Sequence, residues 1–277
     1  MKRSISGAVF VAVIVGFFFL REVDVRLFDI LIYFFSLVGT FEVWRALKGD
    51  KEGFGIAFSG TAGNVATAIV FIGALAFVPV FTFAGFGWAV AALCFCAAAV
   101  VATGLCHEEN AALAAGSGLL AVLYPDALLL AMLAANVHGQ YALLALLLIF
   151  VTSPLADTFA YLVGSTVGGK KLCPKISPNK TVSGAVGGLV GGAIGALVLY
   201  FIFTPDLGIG CEWLIFLVIG IAAAFFTEAG DLFESWIKRK VGIKDMGKIM
   251  PGHGGIMDRI DGILFCSLFI ALVFLFI

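Results

Sequence analysis

Nine apolar runs, each close to the length of a bilayer crossing, constrain this chain more than any other feature. They lie at 5–20, 27–44, 54–81, 83–106, 111–135, 141–164, 184–204, 211–231 and 260–277. A membrane-spanning helix needs about 20 predominantly apolar residues. The chain is 62% hydrophobic and only 13% charged, more apolar side chain than a soluble fold of 277 residues can hide. The same figures exclude disorder. The expected fold is all-α: a polytopic integral membrane protein of about nine transmembrane helices. Residues 1–277 read as a single membrane domain, with an N-terminal membrane-spanning region at 1–140 and polar loops concentrated in 141–277.

Two runs need comment. The first is short and follows Lys2 and Arg3, the pattern of a signal peptide. No small-residue cleavage site follows it, and Arg21 and Glu22 end the run, so a retained span is expected. The run 111–135 is interrupted by Tyr124-Pro125-Asp126 and reads either as one kinked span or as two half-spans. Charge tests the count. Nine spans place 15 of the 17 Lys and Arg residues on one side and leave only Arg21 and Arg26 on the other. Such an imbalance marks the rich side as cytoplasmic. The net charge of −1 gives no reason to expect a nucleic-acid partner. The cysteines, Cys94, Cys96, Cys106, Cys173, Cys211 and Cys266, form no CxxC pair; four lie in or at the edge of apolar runs as small hydrophobes, Cys173 reads at most as an exposed thiol, and none reads as a metal ligand.

The polar residues of the C-terminal half fall into two clusters. One is the loop Gly164–Ser183 and the other is the stretch Glu228–Gly262. In the second, Glu228, Asp231 and Glu234 recur every three residues and form an acidic stripe on a helix. Ionisable groups at the edge of a span are costly and usually functional. Asp258 and Asp261 are also three apart, at the mouth of the last run. Two such pairs can converge on a hard cation, and Mg²⁺ takes one or two carboxylates plus substrate phosphate oxygens. The plain alternative is that the acids only cap helix ends in headgroup water. Between the pairs lies a basic connector with Lys238, Arg239, Lys244, Lys248 and Arg259, interrupted by Pro251-Gly252-His253-Gly254-Gly255. Its glycines let backbone N–H groups approach a phosphate. A loop that binds anionic headgroups is the plain reading of such a connector, although the flanking acids would weaken that attraction. Gly184, Gly188 and Gly192, with Gly187, Gly191 and Gly195, form two small-residue rows that point to close helix packing and allow a homodimer.

The connector also carries a resemblance. Ser235-Trp236-Ile237-Lys238-Arg239, Lys244-Asp245 and the run Pro251 to Asp261 resemble the signature of the phosphatidate cytidylyltransferase family, also called CDP-diacylglycerol synthases. Met250 stands where the family usually has Leu, Ile or Phe. Upstream, Gly230 to Ser235 also looks like the family, with Glu228 at a usual Gln position. In the first cluster, Asp157 to Tyr161 and Ser177-Pro178-Asn179-Lys180-Thr181 are similar to further family elements, although Ser183 replaces a usual Glu. Residues 1–140 match only as a membrane region of suitable length.

The resemblance implies a nucleotidyl transfer in which CTP and phosphatidate give CDP-diacylglycerol and pyrophosphate. It implies one Mg²⁺ ion or two on Asp231, Asp258 and Asp261, with Lys238 and His253 beside them in the chemistry. It further implies that Asp157, Ser177, Lys180, Ser235, Arg239, Lys244, Lys248, Gly254, Gly255 and Arg259 bind substrate and phosphate. The expected location is a bacterial cytoplasmic membrane, with the site facing the cytoplasm. Two other classes use similar residues. A CTP-dependent lipid or polyprenol kinase would release CDP instead of pyrophosphate. A transporter would place its acids in mid-span rather than at one membrane edge.

Overall fold

The computed structural model describes residues 2–50, 53–107, 110–204, 210–250 and 254–276. His253 lies outside the described residues. Among them are nine α-helices: α1 (Lys2–Val23), α2 (Val25–Gly49), α3 (Gly60–Ala84), α4 (Phe86–Leu105), α5 (Ala111–Asn136), α6 (Ala142–Thr166), α7 (Val182–Phe203), α8 (Glu212–Lys240) and α9 (Met257–Phe274). Helices α1 to α8 are long and apolar enough to cross a membrane. Helix α9 has 18 residues, but Asp258, Arg259 and Asp261 occupy its start and shorten its apolar part. The protein is an integral membrane protein with its expected helices in place.

The ambiguous run resolves as one continuous helix, α5, with Pro125 inside it. The loop expected between Gly164 and Ser183 contains a small antiparallel hairpin, β1 (Lys171–Cys173) and β2 (Ser177–Thr181). Helix α8 runs past the apolar segment 211–231 to Lys240, so the acidic stripe and the first basic residues sit on its last turns.

The chain forms two compact units. One comprises residues 1–133 and 238–259, the other 134–237 and 260–277. The connector lies within the 141–277 part of the sequence, and its residues 238–259 pack here with the N-terminal helices.

In the first unit, α2 provides the core. Phe28, Leu31, Ile32 and Phe35 are fully or almost fully buried. Asp24 starts α2 by accepting the Arg26 N–H at 2.8 Å, which satisfies one of the orphan donors of the first turn. Helix α1 packs on α2 through Phe18 against Phe28, with ring centroids 5.2 Å apart. Asp126, buried on α5, accepts from the Ser36 hydroxyl at 2.7 Å and the Thr40 hydroxyl at 3.3 Å. Such bonds make a buried carboxyl tolerable beside Pro125.

In the second unit, α6 and α7 pack closely, and the glycine rows explain how. A Cβ on Gly187 would lie 2.6 Å from Val163, and one on Gly191 would lie 2.7 Å from the Leu155 carbonyl, both on α6. A Cβ on Gly192 would meet the Gly220 carbonyl of α8 at 2.5 Å. The rows therefore face neighbouring helices of the same chain. Val186, Val190 and Val198 are exposed on α7.

Candidate active site

The second unit gathers three of the predicted acids, Asp157, Glu228 and Asp231, around one lysine. After α6 the backbone turns through Gly168 and Gly169, with φ of +65° and +105°, into β1. These are left-handed conformations that glycine adopts without steric cost. The hairpin pairs Lys171 with Thr181 and Cys173 with Ser177. Thr181 then caps α7, its hydroxyl accepting the Gly184 N–H at 3.1 Å. The Ser183 hydroxyl donates to the Gly168 carbonyl, so the residue that replaces the usual Glu ties the hairpin to the end of α6.

Lys180 on β2 points at α8. Its Nζ donates to Asp231 at 2.8 Å and lies 3.6 Å from Glu228. The Ser235 hydroxyl donates to the other Asp231 oxygen at 3.3 Å. Burial by itself would lower the Lys180 ammonium, but Asp231, Glu228 and Asp157 outweigh it and hold the group above the ordinary lysine value. Asp157 on α6 lies in the field of Asp261, Asp231, Lys180 and Glu228. Two glycines let α8 and α9 close up here. A Cβ on Gly230 would lie 2.6 Å from the Asp261 carbonyl, and one on Gly262 would lie 2.7 Å from Thr227. The Asp261 carboxylate accepts the Gly262 N–H at 2.9 Å.

A cavity of about 620 Å³ opens at this point, lined by Asp157, Tyr161, Asn179, Lys180, Glu228 and Asp231 among others. That volume falls within the range of small-ligand sites. Ser177 is absent from the lining, since it sits at the far end of β2. Glu234 is fully buried and also outside it.

In the first unit, the connector closes around Asp258. One carboxylate oxygen pairs with Lys238 at 2.9 Å. The other accepts from the N–H groups of Met246 at 2.9 Å, Gly255 at 2.8 Å and Gly247 at 3.4 Å. Gly254 has φ of +89°, and a Cβ there would lie 2.8 Å from Asp258. Gly254 and Gly255 therefore shape the Asp258 pocket. Arg239, Lys244, Lys248 and Arg259 are exposed.

Sequence reasoning passed over one acid, Glu42. It is fully buried on α2 and accepts the Met257 N–H at 3.0 Å. A carboxylate inside an apolar run is itself a signal, but its partner is 215 residues away in sequence.

Among the described residues, no group of three or more His, Cys, Asp or Glu is already arranged as a metal site. The donor chemistry nevertheless suits a hard cation. Asp157, Glu228 and Asp231 share one ammonium, Asp261 adds its charge to the field at Asp157, and among the described residues the buried Glu228 Oε1 has no hydrogen-bond partner.

The fold is that of a helical membrane protein, with an acid-rich pocket in one unit and a basic, glycine-bearing connector in the other. The chain belongs to the cytidylyltransferase family, whose sequence profile matches residues 1–277. It is 42% identical over 126 residues to a phosphatidate cytidylyltransferase of Staphylococcus haemolyticus (strain JCSC1435), a stretch covering 46% of this chain and 45% of that relative. Against the phosphatidate cytidylyltransferase of Bacillus subtilis (strain 168), identity is 40% over 131 residues, 47% of each chain. The Staphylococcus saprophyticus relative of the same name is 46% identical over 126 residues, covering 46% of this chain and 45% of its own. The chain thus matches these curated relatives over less than half of their length.

Proposed function

We propose that this protein is a phosphatidate cytidylyltransferase, a nucleotidyltransferase of phospholipid biosynthesis that converts CTP and phosphatidate to CDP-diacylglycerol and pyrophosphate. The observation that carries this reading is the cavity in which Lys180 is held by Asp231 and Glu228, in a chain of the cytidylyltransferase family. A phosphate oxygen of phosphatidate attacks the α-phosphorus of CTP. A new P–O bond forms, the bond to the β-phosphate bridging oxygen breaks, and its electron pair leaves with pyrophosphate. The nucleophile is already an anion, so no strong base is needed, and the main obstacle is repulsion between anions.

Asp231 and Asp261, with Asp157 and Glu228 beside them, are the residues that would hold Mg²⁺. When bound, the ion supplies positive charge to the triphosphate. Asp258 is proposed as a metal-holding residue as well. Its oxygens now accept from Lys238 and three N–H groups, so a cation there shares or replaces those donors. Lys180 orients Asp231 and presents a fixed ammonium to the cavity. Lys238, Arg239, Lys244, Lys248 and Arg259 supply the cations that bind phosphate, and His253 is assigned a part in the chemistry beside them. The site faces the cytoplasm of a bacterial inner membrane, which the placement of 15 of 17 Lys and Arg residues supports. A homodimer gains no support from glycine rows that face α6 and α8.

The test is to incubate detergent-purified protein with CTP, phosphatidate and Mg²⁺ and to follow pyrophosphate and the lipid product by mass. Equal amounts of CDP-diacylglycerol and pyrophosphate, both lost on adding EDTA, are expected. CDP with a newly phosphorylated lipid would replace this reading with a kinase.

A further inference from the structure

The apolar first half of the chain contributes a charged residue where the connector needs one. Glu42 is fully buried within α2, a costly place for a carboxylate. Its Oε2 accepts the N–H of Met257, the first residue of α9. The first N–H groups of a helix have no partner within it, and the helix dipole favours negative charge at that end. Glu42 therefore caps α9 from a different helix. Its carboxylate also lies directly against Gly247 and Gly255, leaving no room for a Cβ at either position. Those two glycines donate their N–H groups to Asp258. One turn further along α2, the Arg45 guanidinium donates to the Met246 carbonyl at 2.9 Å, while the Met246 N–H donates to Asp258. The connector backbone is thus held between Glu42 and Arg45 on one side and Asp258 on the other.

We propose that Glu42 is a positioning residue, which fixes the connector through the Met257 N–H and the Gly247 and Gly255 backbone so that its N–H groups receive Asp258. The inference rests on the cytidylyltransferase reading only for its effect on turnover.

The test uses limited trypsin digestion of the full chain in detergent, comparing wild type with Glu42→Gln and Glu42→Leu. Lys244 and Lys248 are exposed cleavage sites on the connector, and Lys171 and Lys175 are exposed sites on the distant-in-sequence hairpin that serve as internal controls. Cleavage of a transiently opened segment tracks its open population, so Glu42→Leu should raise connector cleavage about tenfold or more and leave hairpin cleavage unchanged. Glu42→Gln keeps an oxygen acceptor for Met257 and should stay within about threefold of wild type. CDP-diacylglycerol formation should follow the same order. Unchanged connector cleavage in Glu42→Leu overturns the proposal, as does an equal rise at hairpin and connector. Equal damage from Gln and Leu also overturns it. If wild type forms no CDP-diacylglycerol, the proposed activity fails, while the cleavage pattern still decides the role of Glu42.

Discussion

Asp231 and Asp258 each meet a lysine at hydrogen-bond distance, yet they sit in opposite electrostatic settings. Around Asp231 the acids outnumber the cation: Lys180 is shared with Glu228 and Asp157, and the Asp231 side chain is 32% exposed to a cavity. Around Asp258 the donors outnumber the acid: Lys238 and three backbone N–H groups serve one carboxylate that is 4% exposed. A site with surplus acid and an opening has capacity for an added cation and a phosphate. A site with surplus donors holds a loop in shape, and a cation that reaches it must share or replace those donors. The same residue pair therefore reads as a receptor in one unit and as a keystone in the other.

This contrast can be broken most directly at Asp231. Asp231→Asn should lower CDP-diacylglycerol formation by about a hundredfold or more, while the detergent-purified protein still unfolds cooperatively. A variant with near-wild-type turnover would remove Asp231 from the chemistry. Asp258→Ala should do damage of a different kind. Removing one member of a buried ion pair costs about 3–5 kcal/mol, so thermal unfolding should shift strongly downward as activity is lost. An unshifted unfolding curve would undo the keystone assignment.

Lys180→Met sharpens the comparison through pH. The Lys180 pKa is raised in the folded protein, so its pairing energy is fully present below the ordinary lysine value. It is lost only as pH rises through the higher native value. The stability gap between wild type and Lys180→Met should persist to about pH 9 and be lost only above about pH 10.4. A gap that closes near neutrality would mean that Lys180 is not held by these acids. The smallest effect is expected from Ser235→Ala. Its 3.3 Å bond to the half-exposed Asp231 orients one oxygen, so turnover should fall by less than about tenfold.

The membrane frame was legible because a lipid-facing helix must be apolar over its whole length, and that pattern needs no knowledge of neighbours. The acids of α8 and the basic connector were legible because charge at a membrane edge stands out against apolar sequence. Other features were not. A three-residue β1 has no periodicity to detect, and its register with β2 depends on the turn between them. The donors that close around Asp258 are mostly backbone N–H groups, which every residue but proline carries. Glu42 was visible as an anomaly within a span, but nothing local names Met257 as its partner. For the same reason, the sequence could not show that the connector packs with the N-terminal helices.

Helix α7 leaves a consequence for anyone redesigning such a protein. Its outward side carries Val186, Val190 and Val198, and its inward sides carry glycine. Both surfaces are apolar, so hydropathy cannot tell them apart, and volume alone encodes which way the helix turns. The usual engineering instinct of filling an interior with larger side chains runs backwards here. Bulk added to the inner rows would push α6 and α8 away, whereas bulk added at Val186, Val190 or Val198 would extend from an exposed face.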